Sequence, residues 1–565
     1  MNQDIRNLVI TIFLSTLILL GWQYFYDNPR QAAIQKNIEL KQQAKDAISA
    51  KNEIVSEVEP SDSLSGKTEA NIPHIKINSE TLTGSISLQG LRFDDLSLNH
   101  YKKTTDLDSE NVKLFHKSGK RDSYFVEFGW LSANKDLEVP TKFTLWQADK
   151  MDLNAGGYVT FTWKNSKNVI FKVTIGLDEN YMFSIKQDVI NGSNHEINLQ
   201  PYGLVYRTSK HSDKPIMVFH EGAIGVFDNI LKEVTYEDLV SKEKQKFSSK
   251  AGGWIGFTDK YWLASIIPTN SVNFDANFIG SKIDGVEKLQ VDYIGPTIAI
   301  SSDETYSLTS NLFAGAKVAK LLNNYSEQYK IALFDRAIDY GWFYFITKPM
   351  FLVLNYIFLF TKNFGIAIIL ITILIKILMF PIANKSFKTM QRMKKLQPTI
   401  AKLKEQYAGD SMKLNSEMMA LYKRESLSPL SGCLPLIVQM PVFFSLYKVI
   451  FISIEMRHAP FFGWIKDLSS PDPTTIFNLF GIIPWTPPQV LMIGIWPLIM
   501  GLTMFLQQKM NPEPADPVQA KVMKFLPFIF VFMFQSFPAG LMIYWSWSNI
   551  LSMMQQFLIN KRHEN

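Results

Sequence analysis

Apolar residues follow two different periods along this chain. Between about residues 75 and 325 they alternate with polar residues, and a turn at 165–168 separates two clear runs. The apolar positions of these runs are Val159, Phe161, Trp163, Val169, Phe171, Val173 and Ile175. A period of two indicates strands with one buried face, and short strands joined by Gly and Asn turns are typical of antiparallel sandwiches. The sequence therefore predicts an all-β sandwich, antiparallel throughout, over residues 75–325.

After about residue 345, long apolar runs replace the alternation. Five of them are long enough for helices that cross a bilayer, at 363–383, 431–454, 490–508, 522–537 and 540–559. A sixth run lies at 7–26, and it ends in aromatic residues rather than a cleavage site. This ending favours an uncleaved anchor over a cleaved signal peptide. We predict a multi-domain membrane protein with a transmembrane anchor (1–26) and a polytopic α-helical core of five transmembrane helices (347–565).

The basic residues are concentrated in one loop of this core. The net charge is +6, and residues 384–430 alone contain ten Lys or Arg against four acids. Basic loops stay in the cytoplasm, so six spans place both termini there and residues 27–345 outside. The basic loop also has a heptad-like seam and predicts a helical hairpin, kinked at Pro398 and capped at Asp410. Its charges could be a solvated face, or could contact ribosomal RNA, anionic lipid or a targeting receptor.

Two segments join these regions. Residues 27–74 are rich in Lys, Glu, Gln, Ser and Asn, which predicts a polar linker. Residues 326–346 place apolar side chains near helical spacing, at Ile331, Phe334, Ala337, Ile338, Trp342 and Phe345. We predict an amphipathic helix that lies flat in the outer interface. A helix that only covers the β domain would have the same pattern.

The composition points away from several kinds of chemistry. Cys433 is the only cysteine, so no intramolecular disulfide or cysteine-rich zinc site can form. His195, His211 and His220 lack metal-ligand spacing, and the chain lacks a phosphate-binding Gly-x-x-x-x-Gly-Lys-Ser/Thr loop. We predict no metal, no cofactor and no small-molecule substrate. For the β domain, a scaffold or partner-binding role is favoured over sugar binding in a cleft.

One charge within the apolar runs is unusual. Lys376 is the only charged residue between Phe364 and Ile382. A charge in hydrocarbon costs roughly 2.5–3.5 kcal/mol on insertion scales, so intramembrane charges tend to be functional. Lys376 could simply extend its side chain to the inner headgroups. Alternatively, it could line a watery pocket together with Thr372, which lies four residues earlier on the same face.

Several stretches resemble the YidC membrane protein insertases of Gram-negative bacteria. They are "LQPTIAKLKEQY", "EMMALYK", "SPLSGCLPLIVQMPVFFSLY", "MRHAPFFGWIKDLSSPDP", "QQKMNP" and "FPAGLMIYWSWSNILSMMQQ". The resemblance implies an inner-membrane protein with a periplasmic β domain, which inserts nascent membrane proteins alone or with the Sec translocon. It also implies a hydrophilic groove, open to the cytoplasm and lipid and closed to the outside, and no enzymatic reaction.

The resemblance assigns residues to that groove. Lys376 stands where the family usually has arginine; it keeps the charge and loses the planar fork. Thr372, Gln439 and Asn549 match polar groove positions. Tyr544 and Trp545 stand where the family has a tyrosine pair, and Trp545 lacks the second hydroxyl. The implied partners are nascent membrane proteins, the Sec translocon, the ribosome, a targeting receptor and the lipid bilayer.

Two other functions fit the layout less well. A secondary transporter could use Lys376 as its coupling site, but the five spans contain no inverted repeat and no acid within 363–383 to pair with it. A periplasmic assembly factor that is merely tethered by its spans would need the β domain and would not need Lys376.

Overall fold

The computed structural model describes residues 72–565, apart from 107, 118–121, 210–218, 270–271, 342, 408, 426, 428–433, 482, 484, 486, 489–490, 512–516 and 565. The predicted anchor at 1–26 and nearly all of the predicted linker at 27–74 lie outside the described residues. The described chain folds as a β domain followed by a helical region.

Two large sheets form the β domain. The first has the order β14-β17-β18-β11-β5-β3-β2-β1-β7, with β19 beside β11 and β4 beside β3. Its strands are β1 His74–Asn78, β2 Leu82–Ser87, β3 Arg92–Lys102, β4 Asn111–Phe115, β5 Tyr124–Leu131, β7 Asp152–Asn154, β11 Ile197–Ser209, β14 Lys244–Ser249, β17 Phe274–Ile283, β18 Val286–Ile294 and β19 Ile298–Ile300.

The second sheet has the order β13-β12-β15-β16-β20-β10-β9-β8-β6. Its strands are β6 Gln147–Ala148, β8 Tyr158–Lys164, β9 Val169–Leu177, β10 Met182–Asn191, β12 Gly222–Phe227, β13 Ile230–Thr235, β15 Gly253–Thr258, β16 Trp262–Ile267 and β20 Thr305–Ala316. A short helix, α1 (Tyr236–Lys242), packs beside the sheets.

The alternation predicts this domain well. Val169, Phe171, Val173 and Ile175 of β9 are all buried, and the residues between them are half-buried. The turn before β9 is built on Asn165, whose side-chain oxygen accepts hydrogen bonds from two backbone N–H groups. The all-β prediction is confirmed. The antiparallel prediction has one exception, because β1 and β7 pair in parallel.

Helices make up the rest of the described chain. They are α2 Ala319–Gln328, α3 Tyr344–Thr361, α4 Phe364–Leu378, α5 Phe380–Gln406, α6 Ser411–Arg424, α7 Leu434–Ile452, α8 Ile495–Met510, α9 Pro517–Phe534 and α10 Ala539–Glu564. Short 3₁₀ turns occur at Phe334–Ala337, Ile454–Met456 and Ile476–Gly481. Each of the five predicted apolar segments overlaps one of these helices, although α8, α9 and α10 extend beyond the predicted bounds.

The predicted amphipathic helix at 326–346 is wrong. α2 ends at Gln328, the backbone at Leu333 is left-handed (φ 52°), and a 3₁₀ turn follows. Ile331, Phe334, Ala337 and Ile338 are buried, whereas Phe345 is exposed. Phe334 packs edge-on against Trp254 of the β domain at 5.4 Å between ring centroids. The apolar spacing at 326–346 therefore belongs to a segment that covers the β domain, which was the alternative interpretation. The exposed apolar helix of this region is α3, which begins at Tyr344.

The first predicted span also ends earlier than expected. α4 stops at Leu378, and α5 leaves it at an angle of 66°. Pro381 sits in the first turn of α5, and a proline there cannot continue the hydrogen-bond ladder of α4. By contrast, α5 is one continuous helix with Pro398 inside it.

α5 and α6 form the predicted helical hairpin. Met393, Leu396 and Ile400 of α5 pack against Met418, Leu421 and Tyr422 of α6. The Asp410 side chain accepts a hydrogen bond from the Lys413 backbone N–H at 3.0 Å and caps α6. Both the seam and the cap are thus confirmed.

The β domain rests on one end of α7. Lys448 of α7 donates to Asp339 at 2.8 Å. Just beyond α7, Glu455 accepts a hydrogen bond at 3.2 Å from the backbone N–H of Ala319, the first residue of α2. The residue before α2, Val318, cannot cap it, so the helical region supplies the missing cap. Burial raises the pKa of Glu455.

Length and hydropathy alone mark few of these helices as spans. Among the described residues, α3 is long and apolar enough to cross a bilayer, and α4 together with α5 qualifies only if the bent pair counts as one span. The number of spans therefore stays a prediction.

Candidate functional site

Polar side chains of α10 contact three other helices on three sides. α10 is the last helix of the chain and packs against α4, α7 and α8. It has an apolar N-terminal end and a run of Ser, Asn and Gln further along. These polar residues lie among helices, so each needs a partner there.

Lys376 lies on the side of α10 that faces α4. Its ammonium donates a hydrogen bond to the Ser552 hydroxyl at 2.8 Å. Ser552 is buried, and its own hydroxyl donates to the Ser548 carbonyl at 2.9 Å. Gln555 adds a bond from its amide to the Lys376 carbonyl at 3.2 Å. The last turn of α4 is therefore joined to α10 by two polar contacts.

Thr372 shares a face with Lys376 but does not contact it through a hydrogen bond. It is buried, and its hydroxyl donates to the Ile368 carbonyl at 2.6 Å, one turn earlier in α4. This bond occupies the hydroxyl hydrogen and leaves its oxygen as an acceptor.

Gln439 and Tyr544 meet on the side of α10 that faces α7. The Gln439 amide donates to the Tyr544 hydroxyl. Next to this pair, the Trp545 ring packs on Phe443 at 4.8 Å and on Phe534 at 5.0 Å between ring centroids. Tyr544 therefore supplies a polar contact, and Trp545 belongs to an aromatic cluster between α7, α9 and α10.

Asn549 points to a third helix. Its amide donates to the Thr503 hydroxyl of α8 at 3.2 Å. Both residues are buried. Further along the same side, the Gln556 amide donates to the Met510 carbonyl at the end of α8 at 3.3 Å.

The six predicted groove residues thus form three separate contacts rather than one cluster. Lys376 and Thr372 lie between α4 and α10, Gln439 and Tyr544 lie between α7 and α10, and Asn549 lies between α8 and α10. Trp545 faces aromatic rings. Their common feature is α10 itself.

Sequence reasoning missed four of the partner residues: Thr503, Ser548, Ser552 and Gln555. A signal for three of them was present, because 548, 552 and 555 are polar positions at steps of four and three within an apolar helix. Such spacing predicts one polar face. The partner on α8 had no comparable signal.

The N-terminal end of α10 is closely packed. Ala539, Leu541 and Met542 are fully buried. A side chain at Gly540 would come within 3.3 Å of Ile368, of Ile450 and of the Leu468 carbonyl, so α4, α7 and the loop after α7 all meet there. The polar contacts of Lys376 lie about 18 Å further along α10, at 1.5 Å per residue.

The electrostatics around Lys376 are simple. Within the described part of the chain, no carboxylate forms an ion pair with it, and its hydrogen-bond partner is a hydroxyl. The same residues contain no group of three or more His, Cys, Asp or Glu that could hold a metal ion. A positive charge with a neutral partner keeps its capacity to attract an anion.

Comparison with known proteins agrees with this architecture. Residues 74–353 match the family model of the YidC periplasmic domain, and residues 356–565 match that of the 60Kd inner membrane protein. The fold and these matches define an inner-membrane protein with a helical core and a periplasmic β domain.

Individual relatives extend over the full length. Membrane protein insertases YidC from Rickettsia massiliae (strain Mtu5) and Rickettsia akari (strain Hartford) are each 50% identical to the chain, over 99% of it and 100% of their own lengths. A crystal structure of an active YidC insertase has 16% identity, a TM-score of 0.35, and covers 86% of this chain and 94% of its own. The chain belongs to the YidC family of membrane protein insertases.

Proposed function

We propose that this protein inserts nascent membrane proteins into the inner membrane through a groove beside α10, with Lys376 as its positive charge. The observation that carries the proposal is the placement of Lys376. Its ammonium lies between two helices, is bonded to a buried hydroxyl, and has no carboxylate partner among the described residues. We infer that water reaches this position from the cytoplasm and that the packed outer end around Gly540 closes the far side.

The charge would act on acidic residues of a client's N-terminal tail. A carboxylate about 4 Å from the ammonium gains roughly 4 kcal/mol at an effective dielectric constant of 20. Placing an acid at the centre of a bilayer costs roughly 2.5–3.5 kcal/mol on insertion scales. The attraction is therefore large enough to offset the cost of moving an acidic tail partway across. The hydrophobic span of the client would then leave sideways into lipid.

The geometry suggests a membrane arrangement. α4, α7, α8, α9 and α10 would be the five spans of the core, with the anchor as a sixth. α3 would lie flat in the outer interface, because both of its ends are near outer elements. Tyr340, just before it, is close to the Lys448–Asp339 pair, and Phe358 near its end stacks on Phe364, next to the outer residue Phe461.

The cytoplasmic hairpin would receive clients. Its Lys and Arg side chains offer contacts for ribosomal RNA or a targeting receptor, and α5 is held at its base by Phe387 and Met390 against Ile559 of α10. When the protein cooperates with the Sec translocon, clients would still pass through the same groove. Both termini would be cytoplasmic, and the protein would act without an enzymatic reaction.

Insertion into liposomes that contain only this protein tests the proposal. The client is a single-span protein with an acidic N-terminal tail, and a matched client has the tail acids replaced by their amides. Tail protection from external protease is scored for the natural protein, Lys376→Ala and Lys376→Arg. Lys362→Ala is the control, because it removes an exposed lysine at the opposite end of α4.

The proposal expects a specific pattern. Lys376→Ala should lose protection of the acidic tail and keep that of the neutral tail, while the arginine and Lys362 variants stay near the natural level. Equal insertion of both clients by Lys376→Ala would make Lys376 a lysine that merely reaches the headgroups. No insertion by the natural protein would refute autonomous insertion and reopen the transporter and tether alternatives.

A further inference from the structure

We propose that an exposed apolar patch between α7 and α8 sits in the outer leaflet and is covered by lipid. The patch consists of Phe477, Leu479, Phe480, Ile483 and Trp485, and we call it the outer patch. All five side chains are exposed, with 53% of Phe480 and 48% of Trp485 accessible. They lie close together in the chain, around the 3₁₀ turn Ile476–Gly481. Exposed apolar clusters of this kind mark surfaces that contact something other than water.

The surrounding sequence lacks charge. No Asp, Glu, Lys or Arg occurs from Pro473 to Gln508. α8 begins only at Ile495, so the uncharged stretch extends well before the helix. A loop in water has no need to be free of charge over such a length, whereas a segment in lipid does.

Several backbone groups of the patch are hydrogen-bonded within the loop. The Phe480 N–H donates to the Thr475 carbonyl and the Ile483 N–H to the Asn478 carbonyl, both at 3.0 Å. The Thr475 hydroxyl donates to the Leu491 carbonyl at 2.9 Å and closes the loop. Lipid offers no hydrogen-bond partners, so irregular backbone can enter it only when its polar groups are paired internally.

Two residues of the patch hold an unfavourable backbone conformation. Leu479 and Phe480 have φ angles of 49° and 60°, in the left-handed region that residues with bulky side chains rarely adopt. This conformation costs free energy, and it directs two large apolar side chains outward. A compensating contact outside the chain accounts for both features.

Asp472 fixes the depth of the patch. Its buried carboxylate accepts hydrogen bonds from the Trp464 indole at 3.1 Å and from the backbone N–H of Trp496, in the first turn of α8, at 2.9 Å. It also accepts a bond from the Thr474 N–H at 3.0 Å. The loop is therefore tied to the point where α8 begins. If α8 is a span, this point lies at the outer headgroup level, where Trp side chains such as Trp485 prefer to reside.

Lipid is favoured over a second copy or a client because of this placement. The patch carries no charged residue that would specify a protein partner, and α8, to whose start Asp472 ties the loop, itself exposes the apolar residues Leu502 and Leu506. The inference rests on the proposed orientation of α7 and α8. It does not depend on Lys376 or on insertion activity, so the two proposals can fail separately.

Depth can be measured with spin labels on the full-length protein in liposomes. Cys433 is replaced by serine, and Phe480→Cys or Phe477→Cys then carries a single nitroxide. Ile230→Cys, an equally exposed apolar position in the β domain, is the matched control. Power saturation compares accessibility to oxygen, which partitions into lipid, with accessibility to a water-soluble nickel chelate.

The expected result is a several-fold higher oxygen-to-nickel ratio at 477 and 480 than at 230. A ratio at both loop positions equal to that of Ile230→Cys would place the patch in water and overturn the proposal. Low access to both reagents together with spin–spin broadening would also overturn it, because a second copy would then cover the patch. Client insertion, measured on the same samples, reports separately on the groove.

Discussion

Removing the hydroxyl of Ser552 tests whether α10 holds Lys376 in place. Ser552→Ala leaves the ammonium without its partner at 2.8 Å and changes little else, because the serine is already buried in its helix. A hydrogen bond to a charged group contributes about 1.5–3 kcal/mol. Water in the proposed groove would replace part of it, so we take the lower figure of about 1.5 kcal/mol, which corresponds to roughly tenfold in rate.

The assay is the rate of tail protection for the acidic-tail client in liposomes. Ser552→Ala should slow it about tenfold, while Ser552→Thr, which keeps a hydroxyl, should stay within about threefold. Ser546→Ala is the matched control, because this buried hydroxyl of the same helix donates only to its own helix, at the Met542 carbonyl. If Ser552→Ala and Ser546→Ala behave alike, Ser552 does not position Lys376 and the reasoning fails.

Three further predictions concern stability, measured by thermal denaturation in detergent. Burial raises the pKa of Asp94 from 3.8 to about 6, so the charged form destabilises the folded β domain above that pH. Asp94→Asn should therefore stabilise the domain by up to about 3 kcal/mol at pH 8. This gain in stability should disappear as the pH falls from 6 to 4. Burial alone would raise the pKa of Asp339, but Lys448 and hydrogen bonds lower it below 3.8. Asp339→Asn should therefore lower the free energy of unfolding by about 2 kcal/mol at pH 7 and by progressively less below pH 4. A loss of stability below pH 4 that equals the loss at pH 7 would contradict this. Asp472→Ala should lower the free energy of unfolding by about 1–2 kcal/mol, because α8 loses its cap, and should make the following loop more sensitive to protease. Unchanged cleavage would show that other contacts hold the loop.

Local patterns in the sequence predicted the elements that depend on neighbouring residues. The alternation around Phe171 gave strands and their buried face, and the seam around Ile400 gave the hairpin. These patterns are readable because each residue's environment is set by the period of its own element. The order of the twenty strands that the described residues form in two sheets was not predictable in this way, because it depends on pairing between distant segments.

The candidate site was likewise predictable where it depends on local sequence and not where it depends on distant residues. Lys376 was identifiable because its charge stands alone in an apolar run, but its partner Ser552 lies 176 residues away. Asn549 was expected near Lys376 and faces Thr503 instead, because the rotation of α10 about its axis is decided by packing. The wrong prediction of an amphipathic helix at 326–346 has a similar cause. A tight turn that packs against the β domain places apolar residues around Phe334 at the same spacing as a helix does.

The bend after Leu378 has a consequence for the bilayer. α4 contains 15 residues, so it is about 22 Å long, whereas the hydrocarbon core of a typical bilayer is about 30 Å thick. α8, with 16 residues, is nearly as short. If α4 and α8 are spans, such hydrophobic mismatch would draw the two leaflets together around the protein. A polar tail beside Lys376 would then cross a locally thinner barrier, and acyl-chain length would become a determinant of insertion in its own right.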